Sequence, residues 1–173
     1  MPEELFDIVD EADVVIGRAP RSEVHRCRWR HRAVHILVSN PAGEFYLQRR
    51  APWKDCAPDL WDTSAAGHVA SGEEPLTAAQ RELAEELGVE PENPLTLVTK
   101  FTATAATGYE FVTVFRVQIA TPVHPDPHEI VDGRWCSRAE IDRWLARAPA
   151  DFTGTFKQIW QYFRGPSAPA YGT

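Results

Sequence analysis

The sequence predicts an α/β domain in which helices cover a mixed sheet. Three observations carry that reading. Strand and helix signals are interspersed, yet hairpin signals dominate the first half, which argues against a doubly wound parallel sheet. No GxGxxG and no Walker-type phosphate loop occurs. The 173 residues are 43% hydrophobic and 25% charged, enough for one domain with a real core. That domain is expected over residues 1–165, with a Pro/Gly-rich tail over 166–173.

Leu5 to Asp10 and Val14 to Arg18 read as short strands around the polar turn Glu11-Ala12-Asp13. Arg32 to Ser39 is a strongly β-forming run. Asn40-Pro41-Ala42-Gly43 is a turn by composition, and Glu44 to Arg50 returns as the second arm of a hairpin. Ala51 to Asp59 holds two prolines and reads as a loop, and Leu60 to Ser64 as a short strand. Pro75 to Leu87 is the clearest helix, with proline in its first turn and Gly88 as its stop. Its apolar stripe is Leu76, Ala79, Leu83 and Leu87. Leu95 to Thr102, Glu110 to Ile119 and Asp132 to Cys136 read as strands. Ser137 and Glu140 form a capping-box pattern ahead of a helix from Arg138 to Arg147. Thr153 to Arg164 is a last helix, with Phe156, Ile159, Trp160 and Phe163 as its buried stripe.

The net charge of −7 disfavours broad contact with a nucleic-acid backbone. No apolar run approaches the ~18 residues of a membrane span, and the acidic start has no signal-peptide pattern. Cys27, Cys56 and Cys136 show no metal-binding or paired spacing, so each is expected as a reduced, buried thiol in a cytoplasmic protein. The six tryptophans are expected mostly in the core, with Trp53 the one most suited to stack on a bound base or cap a pocket.

Glu82, Glu85 and Glu86 stand at i, i+3 and i+4 on the Pro75 helix, an arc of about 100° beside the leucine stripe. The helix is expected to bury Leu83 and not these carboxylates. Three like charges so close repel, and Arg81 alone does not neutralise them. A hard divalent cation, Mg²⁺ or Mn²⁺, prefers carboxylate oxygens and keeps positions open for phosphate. The bland alternative is a solvated acidic helix face.

The flanking residues favour the cation. From Gly67 the chain reads GHVASGEEPLTAAQRELAEELGV. It has Gly67, Glu73, Arg81-Glu82, an apolar Leu83, Glu85-Glu86, Gly88 and an apolar Val89, and so resembles the Nudix box at every specified position. Chance would produce this on the order of once in 10⁷ such chains at average residue usage. The resemblance implies the Nudix fold, an α/β/α sandwich with a mixed sheet and a loop–helix–loop at the box. It also implies hydrolysis of a small diphosphate compound linked to another moiety. By resemblance, Glu82 and Glu86 are metal ligands, Glu85 a further ligand or its support, and the Gly67 carbonyl another. Arg81 would orient Glu82, and Glu73 would pair with Arg81 to fasten the loop. The base that activates water varies in the family; here Glu110 and Glu129 are the later candidates.

The upstream text is similar to the branch that includes isopentenyl diphosphate isomerase and its hydrolase-like relatives. In the isomerase, histidines and glutamates bind a second metal; His25, His31, His68 and Glu110 match, while the other glutamate falls at Gly108. The isomerase also needs a cysteine before the Gly-His of its box, and here that residue is Ala66. Both departures, together with the complete set of box glutamates, point to phosphoanhydride hydrolysis. Arg49, Arg50 and Lys54 form a basic group suited to substrate phosphates, or simply a strand-end charge cluster. The competing readings are an isoprenoid diphosphate isomerase and a non-catalytic ligand sensor. A homodimer is compatible with the resemblance.

Overall fold

The computed structural model describes residues 3–165, so the tail expected over 166–173 lies outside the described residues. The chain opens with an antiparallel hairpin, β1 (Leu5–Val9) and β2 (Val15–Pro20). Asp10 fixes its turn by accepting hydrogen bonds from the N–H groups of Ala12 and Val14, each 2.9 Å. A short helix follows, α1 (Arg21–Cys27), which the sequence reading lacks. Only Val24 of its seven residues is buried, so it carries no helical periodicity to detect.

The main sheet is built from β3 (His31–Ser39), β4 (Phe45–Arg50), β5 (Trp61–Asp62), β6 (Ala65–His68), β7 (Thr96–Phe101), β8 (Glu110–Gln118) and β9 (Ile130–Cys136). β3 runs parallel to β8 along its whole length, from His31 opposite Glu110 to Ser39 opposite Gln118. It runs antiparallel to β6, with His35 opposite Ala66. β3 and β4 pair only at Ser39 and Phe45. Beyond that point they separate, and β4 pairs with β9 and β5 instead. Ser64 stitches the separation. Its hydroxyl donates to the Tyr46 carbonyl of β4 (2.6 Å) and accepts from the Val38 N–H of β3 (2.8 Å).

Helix α2 (Pro75–Leu87) covers one face, where Ala79, Leu83 and Leu87 pack with Val34, Ile36, Val38 and Val117. Helices α3 (Arg138–Arg147) and α4 (Gly154–Arg164) cover the other, where Ile141, Phe156, Ile159, Trp160 and Phe163 pack with Leu37, Leu47, Val112 and Val114. The alternation along β3 produces this division: Val34, Ile36 and Val38 face α2, and Leu37 faces α4. The result is the expected α/β/α sandwich around a mixed sheet. The helix ends follow local chemistry. Gly88 closes α2 in the left-handed region (φ 62), and Ser137 and Glu140 cap α3 reciprocally.

Several expectations need correction. Leu76 is 45% exposed although it shares the azimuth of the buried Leu83 and Leu87, because it stands in the first turn of α2, ahead of the part of the helix that packs on the sheet. Cys136 is buried, but Cys27 is only half-buried and Cys56 is exposed on the proline-flanked loop. Trp53 is exposed, with its Nε1 donating to the His128 carbonyl (2.9 Å), and Trp29 is also exposed. Among the described residues, no helix is long and apolar enough to cross a membrane.

Candidate active site

The wedge left where β3 and β4 separate holds a cavity of about 670 Å³. Ala33 and His35 of β3, Arg50 of β4, Asp62 of β5 and Ala66 to His68 of β6 line it, together with one edge of α2. Glu82 and Glu86 belong to that edge and are buried, at 8% and 4% exposure, whereas Glu85 is exposed. The expectation that the helix leaves these carboxylates in solvent therefore fails for two of the three. The cause is the close approach of β6 beneath α2. A Cβ on Gly67 would stand 2.0 Å from the Glu82 Cδ, so any larger residue there would displace the Glu82 carboxyl.

Arg81 organises the acidic edge. Its Nε donates to Glu73 Oε1 and one terminal nitrogen to Glu73 Oε2, both 3.0 Å. Its other terminal nitrogen donates to Glu82 Oε1 (2.7 Å) and Glu85 Oε2 (3.1 Å). Glu73 foremost, then Glu82, outweighs burial and pushes the Arg81 pKa further up. Glu86 is held from the other side: its Oε2 accepts from Gln48 Nε2 (2.9 Å) and from the Ala66 N–H (3.0 Å). Burial first, and the charge of Glu82 second, push the Glu86 pKa up to about 7. Burial also raises Glu82, against the pull of Arg81. Each buried carboxylate thus has one oxygen tied, and the other has no protein hydrogen bond among the described residues.

A second cluster lies beside the first. The ring nitrogens of His25, His31 and His68 lie within 4.8 Å of one another. His68 Nε2 is 3.2 Å from His25 Nε2 and 3.1 Å from Glu110 Oε1. His31 Nδ1 donates to the Trp29 carbonyl (2.9 Å), which leaves a lone pair on Nε2. That Nε2 is buried and makes no hydrogen bond of good geometry, but it faces Glu110 Oε1 at 3.5 Å. Burial would raise the Glu110 pKa, but the adjoining His31 and His68 rings hold it well below the usual carboxylate range. Burial, reinforced by the charges of His68 and His31, lowers the His25 pKa to about 4. Phe6 of the N-terminal hairpin stacks on both His68 and His31, with ring centroids 4.6 and 5.6 Å away, and so helps to shield the cluster from water. At Gly108 there is no side chain to add a ligand.

The basic group divides. Arg50 and Lys54 line the cavity. Arg50 donates to the Cys56 carbonyl (3.1 and 3.2 Å), which shapes the loop, and Lys54 is paired with Glu129. Arg49 is a correction. Strand alternation turns it away from Gln48 and Arg50, and it binds Asp59 outside the cavity lining (2.8 Å).

Sequence reading missed four groups at this site: Gln48, and the buried set His35, Asp62 and Thr63. His35 Nδ1 is 2.8 Å from Thr63 Oγ1, and Asp62 Oδ1 is 3.6 Å from the same nitrogen. Burial lowers the His35 pKa, while Asp62 pulls the other way. A polar residue inside the apolar run Ala33 to Val38 was the available signal for His35.

A NUDIX domain model matches residues 29–156. The chain belongs to the Nudix family. Among Nudix relatives, it is 41% identical over 160 residues to the isopentenyl-diphosphate Delta-isomerase of Nocardia farcinica, covering 88% of this chain and 90% of that one. It is 38% identical over 138 residues to Nudix hydrolase 3 of Arabidopsis thaliana, covering 75% of this chain but 18% of that longer protein. A crystal structure from Deinococcus radiodurans superposes with a TM-score of 0.81 at 29% identity, covering 94% of this chain and all of the other.

Proposed function

We propose that the chain is a Nudix hydrolase that cleaves the phosphoanhydride bond of a small diphosphate compound, with Mg²⁺ or Mn²⁺ as cofactor. One observation carries this reading. Glu82 and Glu86 are buried on the cavity wall, each oriented through one oxygen and open at the other. Crowded, buried carboxylates of this kind fit a hard divalent cation. Glu82 and Glu86 would hold it, with Glu85 and the Gly67 carbonyl as further donors. A cation bound there polarises phosphoryl oxygens and acidifies a water for attack on phosphorus. Arg81 holds Glu82 in place, and Gln48 and the Ala66 N–H hold Glu86. Arg50 and Lys54 bind the substrate's phosphates. The base that takes the proton from water is Glu110 or Glu129; both line the cavity, the first beside His68 and the second paired with Lys54. The histidine cluster with Glu110 fits a second metal, with three ring nitrogens gathered beside the carboxylate. We infer a cytoplasmic setting from the three free thiols.

The second reading is an isoprenoid diphosphate isomerase. The name of the Nocardia relative and the histidine cluster favour it. Against it stands Ala66, whose methyl group cannot move a proton at carbon. One experiment separates the two. The protein is incubated with Mg²⁺ or Mn²⁺ and a panel of diphosphates that includes isopentenyl diphosphate, in heavy water, and products are identified by mass. The hydrolase reading expects phosphate or phosphomonoester release and no deuterium in the isoprenoid. Glu82→Gln and Glu86→Gln are expected to lose activity by orders of magnitude with the fold intact. Wild-type activity in both variants, or deuterium incorporation above the metal-only blank, would overturn it.

A further inference from the structure

We propose that His35 is a specificity-determining residue of this cavity. In this role it accepts a hydrogen bond from a hydroxyl or amino group on the organic moiety of the diphosphate. The inference rests on the hydrolase reading and names the class of substrate it serves.

The ring is held by its neighbours. Thr63 Oγ1 donates to the Ala65 carbonyl (3.3 Å), so it accepts from His35 Nδ1–H (2.8 Å). That bond fixes the tautomer and leaves a lone pair on Nε2. Asp62 lies 3.6 Å from Nδ1 and 3.8 Å from Arg50, and stabilises the same tautomer. His35 is 5% exposed and lines the cavity, and its Nε2 has no protein partner among the described residues. Nε2 is not sealed off but opens to the cavity, so a donor on a bound ligand can reach it.

Position assigns which part of the ligand it meets. His35 is the register partner of Ala66, whose N–H holds Glu86. The acceptor therefore stands one strand away from the carboxylate edge, where the group next to the diphosphate would lie. The rest of the wall agrees. Among the described residues, the lining contains no Leu, Ile, Val, Met, Phe, Tyr or Trp, so it offers little to a hydrocarbon tail. A site built around a polar acceptor rejects ligands that leave it unpaired.

The test uses two matched pairs. The first is α,β-methylene-ADP and its 2′,3′-dideoxy counterpart. The second is 4-hydroxy-3-methylbut-2-enyl diphosphate and dimethylallyl diphosphate, which differ by one hydroxyl. Dissociation constants are measured with Mg²⁺ by calorimetry for wild type, His35→Leu and His35→Gln, and turnover is followed separately for the hydrolysable pair. Wild type is expected to prefer the hydroxylated member of at least one pair by about 10–100-fold. His35→Leu should abolish that preference while the deoxy or hydrocarbon member binds as before. His35→Gln, with an amide oxygen available as acceptor, should restore part of it. Thermal melts establish that both variants fold, and if His35→Leu does not, His35→Gln and the wild-type preference decide. Absence of preference in wild type for both pairs, or a preference unchanged in the folded variants, overturns the proposal. Preference without turnover would instead refute the hydrolase reading and leave the subsite standing.

Discussion

Gly67 and Glu86 show how single residues set the chemistry. A methyl on Gly67 would occupy the position of the Glu82 carboxyl, so Gly67→Ala is expected to cost about 100-fold or more in turnover. The far-ultraviolet spectrum should stay native, because the residue lies on a short edge strand with an unstrained backbone; steady-state kinetics against the wild type checks this. Glu86 makes a pH prediction. Its metal-free folded-state pKa of about 7 lies above its ordinary value of 4.5. The folded protein therefore holds this proton more tightly than the unfolded chain. The stability it contributes is full below about pH 4.5 and is lost as the pH rises through about 7. Glu86→Gln, measured by urea unfolding with a chelator, should gain on wild type by about 1–3 kcal/mol at pH 8.5 and little at pH 4.5. A gain independent of pH would contradict burial of the charged carboxylate as its cause. The box residues were legible because fixed spacing on one loop and one helix encodes them. Gln48 and His35 were not, because strand pairing brings them to the site from 38 and 31 residues before Glu86 and Ala66 respectively, a distance no local pattern spans.

At the scale of elements, the helices with strong end signals were readable. The proline and glycine bounds of α2 and the capping box of α3 match the observed ends, while Thr153, expected as the first residue of the last helix, is instead the cap of α4. Helix α1 and strand β6 were not anticipated. The first has a single buried residue, and the second is four small or polar residues without alternation. The buried arc of α2 was placed too far toward its leucines, because a carboxylate bound into a site is buried for reasons hydropathy does not count. The observed burial predicts unequal costs. Leu83→Ala, at a fully buried position, should destabilise by about 2–5 kcal/mol in urea unfolding. Leu76→Ser, in the exposed first turn, should change stability by less than about 0.5 kcal/mol.

For the whole molecule, the decisive feature is that one hairpin divides its arms between two sheet neighbourhoods. The composition announced a mixed sheet, but not the parting of β3 and β4 after Ser39 and Phe45, which depends on which partner each strand finds. The N-terminal hairpin then braces the opening. Asp7 accepts from Ser71 Oγ (2.6 Å) and from the Gly72 N–H (3.0 Å) in the loop ahead of α2. Residues far apart in sequence thereby form one rigid rim. Ser64, with its hydroxyl shared between the two arms, is the rivet at the vertex of a pair of open shears. Nothing chemical happens there, yet Ser64 ties the two arms together at the point where the cavity between them begins. Ser64→Ala should leave the Val38 amide unpaired and speed its hydrogen–deuterium exchange about tenfold or more, with a loss of about 1–3 kcal/mol in stability. If Val38 exchanges as slowly as before, the blades are held elsewhere. If it quickens, the opening between the two arms is held at a single pin, adjustable from a position outside the cavity lining.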